Sequence, residues 1–272
     1  MSANARTWNR PAKETKKMMM TEKLKRQLCR CACKYETPDF VDGDPSRFMH
    51  KLRKENMGDA NREATAFVAS CLSFGSIPQF IPKIEKLVNL SAGDMDGWIR
   101  RGGFRSCVSS ADCCFYRYVT NHDLFAFLSA YEMLMKRHGT LGGYVRAAGD
   151  GTGLGAVRAI CTAFRDSGSR HLVPADATSA CKRICMFLRW MVRTGSPVDI
   201  GLWSGFIDRK TLIIPLDTHV VQEAQALGLL PSGASATMST ARKLTAIMAE
   251  VFPDDPARGD FALYGRNLDA ST

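Results

Sequence analysis

Apolar side chains recur along most of the chain at the spacing that amphipathic helices require. Over residues 61–73, one helical face is formed by Ala64, Phe67, Val68, Cys71 and Leu72, which predicts a buried helix. Similar spacing predicts helices over residues 21–35, 48–55, 79–89, 95–100, 122–137, 141–148, 154–164, 179–193, 217–227, 235–251 and 260–268. Thr140 is the expected N-cap of the helix over 141–148. Only residues 211–216 (TLIIPL) look extended, so the pattern predicts an all-α fold.

Composition narrows the class of protein. The chain has 272 residues, of which 45% are hydrophobic and 24% charged, which excludes a wholly disordered or fibrous protein. No apolar run approaches the length of about 18 residues that a membrane span needs. We expect residues 1–20 to be a disordered basic tail and residues 21–272 to form a single domain. The basic start is followed by no apolar segment, so we expect a cytoplasmic protein whose ten cysteines are reduced. We expect it to be a monomer.

The positive charge is unevenly distributed. The formal net charge is +10, but residues 1–34 alone carry ten Lys+Arg and two Glu. Residues 165–195 hold six Lys+Arg and two Asp within an otherwise nearly neutral body. This local cluster, rather than the total, indicates a nucleic-acid site.

The helix over residues 179–193 carries much of that cluster. Lys182, Arg189 and Arg193 fall within about 20° of one direction on a helix of 100° per residue, so they predict a basic stripe on a half-buried helix. Lys182 also follows the expected N-cap, Thr178 or Ser179. A cation is unfavourable at the positive end of a helix, and an amine that gives up its proton there is a nucleophile. The simpler interpretation is that Lys182 reaches solvent.

A carboxylate opens the helix over residues 217–227. Asp217 follows the apolar approach IIPL and is the expected N-cap, where its side chain accepts hydrogen bonds from the first turn. Held at the mouth of a cleft, the same carboxylate stabilises a developing cation or activates a nucleophile. A purely structural cap is the alternative.

Three segments resemble the helix-hairpin-helix DNA glycosylases (the HhH-GPD superfamily). PLDTHV matches the segment with their essential aspartate, Lys182 stands where the strand-cleaving members have a lysine, and DFALYGRNL is similar to the family segment that ends in Gly265–Arg266. The resemblance is closer to an uncharacterised bacterial family, domain of unknown function 2400. Its hallmarks look like CKRxxMFLRWMVR, VDxGLW and LIIPLDTHV, found here at residues 181–193, 198–203 and 212–220. Residues 61–87, 115–118 and 260–263 fit this family too, so the resemblance covers roughly residues 35–270.

The resemblance implies a bilobal all-α glycosylase fold and a function. A base-excision repair glycosylase with abasic-site (AP) lyase activity would flip an oxidised base such as 8-oxoguanine out of damaged duplex DNA. Lys182 would form the Schiff base and Asp217 would stabilise the positive sugar. Nucleic-acid contacts would come from Arg183, Arg189, Arg193, His219 and Arg266, and base stacking from Trp190 and Trp203.

Several features depart from the glycosylase pattern. Residues 171–180 lack the glycines of the family hairpin, 35 residues separate Lys182 from Asp217, and no four-cysteine cluster follows Arg266. We therefore expect no iron–sulfur cluster, no metal and no other cofactor.

Other interpretations stay open. The same scaffold suits a non-catalytic DNA- or RNA-binding protein, or an adaptor that binds an acidic protein. Tryptophans at helical spacing are commonly core residues, basic helix faces are commonly solvated, and His219 suits capping or packing. The lyase mechanism carries one geometric requirement of its own. The Lys182 amine and the Asp217 carboxylate must share one cleft for the lyase mechanism to hold.

Overall fold

A computed structural model describes residues 20–271, without the side chains of residues 53–54 and 266–271. The expected disordered tail, residues 1–20, lies outside the described residues except for Met20. The chain is predominantly helical, with 59% helix and 3% strand, so the all-α prediction is confirmed, while the bilobal glycosylase type stays a prediction. The helices are α1 (Glu22–Tyr35), α2 (Phe40–Gly43), α3 (Arg47–Lys54), α4 (Asp59–Leu72), α5 (Ile77–Leu90), α6 (Met95–Arg100), α7 (Asn121–His138), α8 (Leu141–Ala148), α9 (Gly153–Phe164), α10 (Lys182–Val192), α11 (Thr218–Ala226), α12 (Met238–Met248) and α13 (Gly259–Ser271).

Helix α4 lies at the centre of the packing. It contacts α3, α5, α6 and α10, and every side chain from Glu63 to Leu72 is buried, as the apolar spacing predicts. Phe67 of α4 meets two rings of α7, one of α9 and one of α10, with centroids 5.2–5.6 Å apart; these rings are Phe127, Tyr131, Phe164 and Phe187. Aromatic packing of this kind adds to the hydrophobic gain from burial. The buried apolar side chains from Leu28 to Leu263 form one connected cluster.

Threonine caps begin several helices where the pattern predicts them. Thr140 Oγ1 accepts a hydrogen bond from the Gly143 N–H at 2.9 Å, which satisfies a free donor of α8. Thr120 and Asp123 form a reciprocal capping box at the start of α7. The predicted starts of these helices agree with the structure to within one residue.

The start of α10 differs from the prediction. The helix begins at Lys182 rather than Ser179, and its N-cap is Cys181, with φ of 47°, so the expectation of Thr178 or Ser179 as N-cap is wrong. The physical reason is long-range pairing. Ser179 bridges Thr237, and Met238 N–H donates to Thr178 O at 3.1 Å, which holds residues 178–180 extended until Cys181 reverses the chain.

A short antiparallel hairpin is present that the pattern did not predict. It joins β1 (Cys114–Tyr116) to β2 (Val119–Thr120), with Tyr116 paired to Val119. Arg117 in its turn has φ of 52°. Residues 212–216, expected to be extended, are buried and unpaired with any strand of the described chain. No helix in the described part of the chain has the length and apolar character that a membrane span requires.

Candidate active site

A cleft of about 860 Å³ opens where the starts of α10 and α11 meet α13. Its walls also include α2, the loop that follows α4, and the turn of the β1–β2 hairpin. The residues that line it and carry charge or aromatic rings are Phe40, Asp44, Phe74, Phe80, Tyr118, Lys182, Arg183, Arg189, Asp217, His219, Asp260, Phe261 and Tyr264. Three of them are lysine or arginine and three are aspartate, so the charges in the cleft nearly cancel.

Lys182 and Asp217 meet inside this cleft. Lys182 Nζ lies 2.7 Å from Asp217 Oδ2, and the two side chains are 40% and 28% exposed. The other carboxylate oxygen of Asp217 accepts the Val220 N–H at 2.9 Å, so Asp217 is also the N-cap of α11. Two helix N-termini thereby converge on one ion pair, and the geometric expectation that both groups share a cleft is met.

The environment of Asp217 favours its ionised form. Burial alone would raise the pKa of this carboxyl. The Lys182 ammonium, by its charge and its hydrogen bond, outweighs burial and holds the pKa below its ordinary value, with help from the Val220 N–H and the nearby His219. Asp217 therefore presents a fixed negative charge beside an amine.

Asp260 is a second carboxyl on the same wall. It is the second residue of α13 and accepts a hydrogen bond from Arg189 Nη1. Burial raises the pKa of Asp260, against the charges of Arg189 and Lys182 that lower it. Asp260 thus accepts from the buried Arg189 guanidinium at the cleft wall, while Asp217 pairs with Lys182.

Aromatic rings form two sides of the cleft. On one side, Phe40 packs edge-on against Phe261 and Tyr264, with centroids 5.4 and 5.8 Å apart. On the other side, Phe74 stacks on Tyr118 at 5.0 Å with an interplanar angle of 23°. Two groups of aromatic rings therefore line the cleft that holds the ion pair.

Arg189 and Arg193 are not available to phosphates, which corrects the expectation of a basic stripe. Their side chains are 4% and 2% exposed, and carboxylates hold both guanidiniums. Arg189 donates to Asp199 and Asp260, and Arg193 donates to Glu36, Asp199 and Asp255. A buried cation needs this compensation because desolvation is costly, so these two side chains stabilise the fold.

Trp190 and Trp203 do not form a base pocket, which is a second correction. They are 0% and 2% exposed and neither lines the cleft. Trp203 Nε1 donates to Glu63 Oε2 at 2.8 Å, and its ring packs edge-on against Phe187. Both indoles belong to the core, as their helical spacing also allows.

The other predicted contacts have different positions. His219 is exposed and lines the cleft. Arg183 lines it too, but one of its nitrogens donates to Cys71 O at 2.7 Å and to His171 O at 2.9 Å, so it braces two backbone segments. The side chain of Arg266 lies outside the described residues. In the described part of the chain, no three His, Cys, Asp or Glu side chains are arranged to hold a metal ion.

Comparison with protein families places the chain. The family model described as a protein of unknown function (DUF2400) matches residues 44–269. The chain belongs to this family. No curated protein and no solved structure matches it. The DUF2400 match spans every cleft-lining residue except Phe40.

Sequence reasoning missed much of the cleft of this DUF2400 protein. Asp260, Phe40, Phe74, Tyr118 and Tyr264 line it, and none was assigned to the site. Tyr118 and Asp260 do fall in segments that resemble the family, at residues 115–118 and 260–263, and that resemblance was the available signal. Phe40 and Phe74 flank helices and carry no local sign of exposure to a cleft.

Proposed function

We propose that this protein is a DNA base-excision glycosylase with abasic-site lyase activity, acting on an oxidised base such as 8-oxoguanine through Lys182 and Asp217. The observation that carries the proposal is the contact of 2.7 Å between Lys182 Nζ and Asp217 Oδ2 in a cleft with aromatic walls. The resemblance of PLDTHV and of the Lys182 helix to the HhH-GPD superfamily supplies the reaction class. A base flipped from the duplex would enter between the aromatic walls.

The contact supports proton transfer before attack. At hydrogen-bond distance from the Lys182 ammonium, Asp217 can relay its proton to water and return to the ionised form, and the resulting neutral amine has the lone pair that nucleophilic attack needs. The amine would attack C1′ of the sugar as the glycosidic C–N bond breaks. The departing base takes the bonding pair and a proton, and the nitrogen then loses a proton. Its lone pair expels O4′ of the sugar ring, which takes up a proton, and the protonated Schiff base C1′=N forms. β-Elimination then removes a proton from C2′ and breaks the C3′–O bond.

The nearly balanced charge of the cleft suits a substrate whose reacting atoms are uncharged. Sugar and base carry no charge before reaction, whereas C1′ becomes positive as the base leaves. Asp217 is held ionised beside that position, where a fixed carboxylate stabilises the developing cation.

Borohydride trapping tests the lysine. Duplexes with 8-oxoguanine, other oxidised bases or an abasic site are incubated with protein and borohydride, which reduces a Schiff base to a stable adduct. We expect an adduct with the wild type and none with Lys182→Ala or Lys182→Gln. Lys210→Gln is the matched control, because Lys210 is a 59% exposed lysine paired with Asp254 outside the cleft. Absence of any adduct across the lesion panel, or an undiminished adduct with Lys182→Ala, would refute the proposal.

Two substitutions separate the charge of Asp217 from its capping. Asn is as good an N-cap as Asp, so Asp217→Asn keeps the Val220 hydrogen bond and removes the charge. We expect base release to be slower by roughly 10²–10³-fold, which is the cost of removing one electrostatic stabiliser. DNA affinity should stay nearly intact. Asp217→Ala should add a loss of stability of about 1 kcal/mol from the missing cap. Equal activity of Asp217→Asn and wild type would restrict Asp217 to capping.

The rival function is a DNA- or RNA-binding protein without catalysis. The observation in its favour is that Lys182 and Asp217 already satisfy each other as an ion pair. Such a protein would bind abasic or structured nucleic acid, tolerate Lys182→Gln and release no base. The trapping experiment distinguishes the two functions directly.

A further inference from the structure

The turn of the β1–β2 hairpin places an aromatic ring at the mouth of the cleft. Tyr118 is 52% exposed, and it stacks on Phe74 with centroids 5.0 Å apart and an interplanar angle of 23°. Both rings line the cleft that holds Lys182. The His171 ring also approaches Tyr118, with centroids 5.2 Å apart and an interplanar angle of 60°. Because that contact is tilted and Tyr118 stays 52% exposed, the ring keeps surface open to a planar partner.

The surrounding contacts build this pair of rings into a fixed surface. The Tyr116 hydroxyl donates to Phe74 O, so the hairpin and the loop after α4 are joined. The Arg183 guanidinium lies 5.1 Å from the Phe74 ring centre and is itself held by two backbone carbonyls. The two rings therefore rest on a cation that is bonded to the core, and this fixes their orientation before any ligand binds.

Gly75 lets the hairpin approach this loop. It has φ of +80°, and a Cβ there would lie 2.6 Å from the Tyr116 hydroxyl and 2.9 Å from Arg117 Nη1. Both distances are shorter than side chains tolerate, so only glycine fits. The close approach leaves the exposed Arg117 beside the two rings, where its charge suits a phosphate.

We propose that Tyr118 and Phe74 form a stacking platform for an unpaired nucleobase at the cleft mouth. The ligand is the base of a DNA nucleotide next to the one in the cleft, so this inference rests on the proposed function for the choice of DNA. Aromatic faces with adjacent arginines are the surfaces on which proteins stack unpaired bases, because every base has a π face and each nucleotide a phosphate. The reacting nucleotide would thus occupy the cleft, where the charges nearly cancel. The neighbouring base of the same strand would stack on the aromatic rings at the mouth.

Fluorescence of 2-aminopurine tests the platform without catalysis. One probe is a duplex in which 2-aminopurine follows a tetrahydrofuran abasic analogue, which the lyase cannot cleave, in the same strand. The 2-aminopurine faces a second analogue in the other strand, so it is unpaired. The second probe is the fully paired duplex of the same length. We expect the wild type to bind the unpaired probe more tightly and to quench its fluorescence. Tyr118→Ala should weaken that binding by about fivefold or more, since stacking of one base contributes at least that much.

Two variants control for the loss of an exposed side chain. Tyr118→Trp keeps an aromatic face and should retain both tight binding and quenching. Met133→Ala removes another exposed hydrophobic side chain, 55% exposed on α7 and outside the cleft, and should change affinity by less than about twofold. Thermal melts of all three variants check that each remains folded.

The outcomes distinguish the platform from the glycosylase. The platform is refuted if Tyr118→Ala binds the unpaired probe as tightly as the wild type does, or if it loses affinity equally for both probes. It is also refuted if the wild type does not prefer the unpaired probe. Borohydride trapping on the same preparations reports on Lys182 separately. An adduct together with Tyr118-independent binding would support the glycosylase and refute the platform. Tyr118-dependent binding of the unpaired base without any adduct would support the platform and refute the glycosylase.

Discussion

Replacement of Arg193 by methionine should destabilise the protein strongly. Arg193 is 2% exposed, and its guanidinium bonds Glu36 at 2.6 Å, Asp255 at 2.8–2.9 Å and Asp199. Glu36 keeps its bond to Arg258, and Asp199 keeps its bond to Arg189. Asp255 loses the guanidinium that bonds both of its oxygens.

The magnitude follows from the charges left without a partner. Removal of one member of a buried ion pair costs about 3–5 kcal/mol, because the remaining charge stays desolvated. At about 2–4 °C per kcal/mol for a chain of this size, Tm should fall by roughly 6–20 °C. Arg193→Lys keeps the charge but loses the planar fork, so its loss should be smaller.

Urea unfolding and thermal melts measure the effect against a surface pair. Arg101 and Asp94 are 70% and 40% exposed, and Arg101→Met should cost less than about 1 kcal/mol. A loss of less than about 1 kcal/mol for Arg193→Met would refute the assignment of Arg193 to the fold. A stable Arg193→Met protein whose DNA affinity depended less steeply on salt would instead restore the phosphate contact that the sequence suggested.

Two further predictions concern buried groups. Trp203→Phe removes the indole N–H that donates to the buried Glu63 carboxyl, which then keeps the Gly142 N–H at 3.1 Å. We expect urea unfolding to show a loss of about 1–3 kcal/mol in stability, with unchanged DNA affinity. Weaker DNA binding at full stability would contradict this prediction. Burial alone would raise the pKa of Glu36, but Arg193 and Arg258 hold this pKa below its ordinary value of 4.5. The ionised Glu36 therefore contributes stability above pH 4.5, and this contribution is lost as the pH falls through the lower pKa of the folded state. Glu36→Gln should therefore flatten the acid side of the stability profile, and an unchanged acid limb would count against this linkage.

The two faces of α10 show how far sequence reasoning reaches. Its apolar spacing predicts the helix and its buried face, and both are confirmed. The same spacing places Lys182, Arg189 and Arg193 on one line, which suggested one common role. The structure divides them, because Lys182 opens into the cleft while the two arginines meet carboxylates outside α10. These carboxylates lie directly after α1, in the loop after α10, just before α13 and in its first turn.

The sequence by itself determined most of the helices and the N-caps Thr140 and Asp217, and it suggested the pairing of Lys182 with Asp217 as a hypothesis. Those features depend on contacts within a few residues, or on a motif that keeps its residue types. Only the tertiary structure decided which charges are compensated and which rings are exposed, because their partners are distant in the chain. Arg193 meets Glu36 across 157 residues, and Trp203 meets Glu63 across 140. Burial changes the cost of a charge by several kcal/mol, so the position of a basic residue on a helix does not reveal whether it binds a ligand or the core.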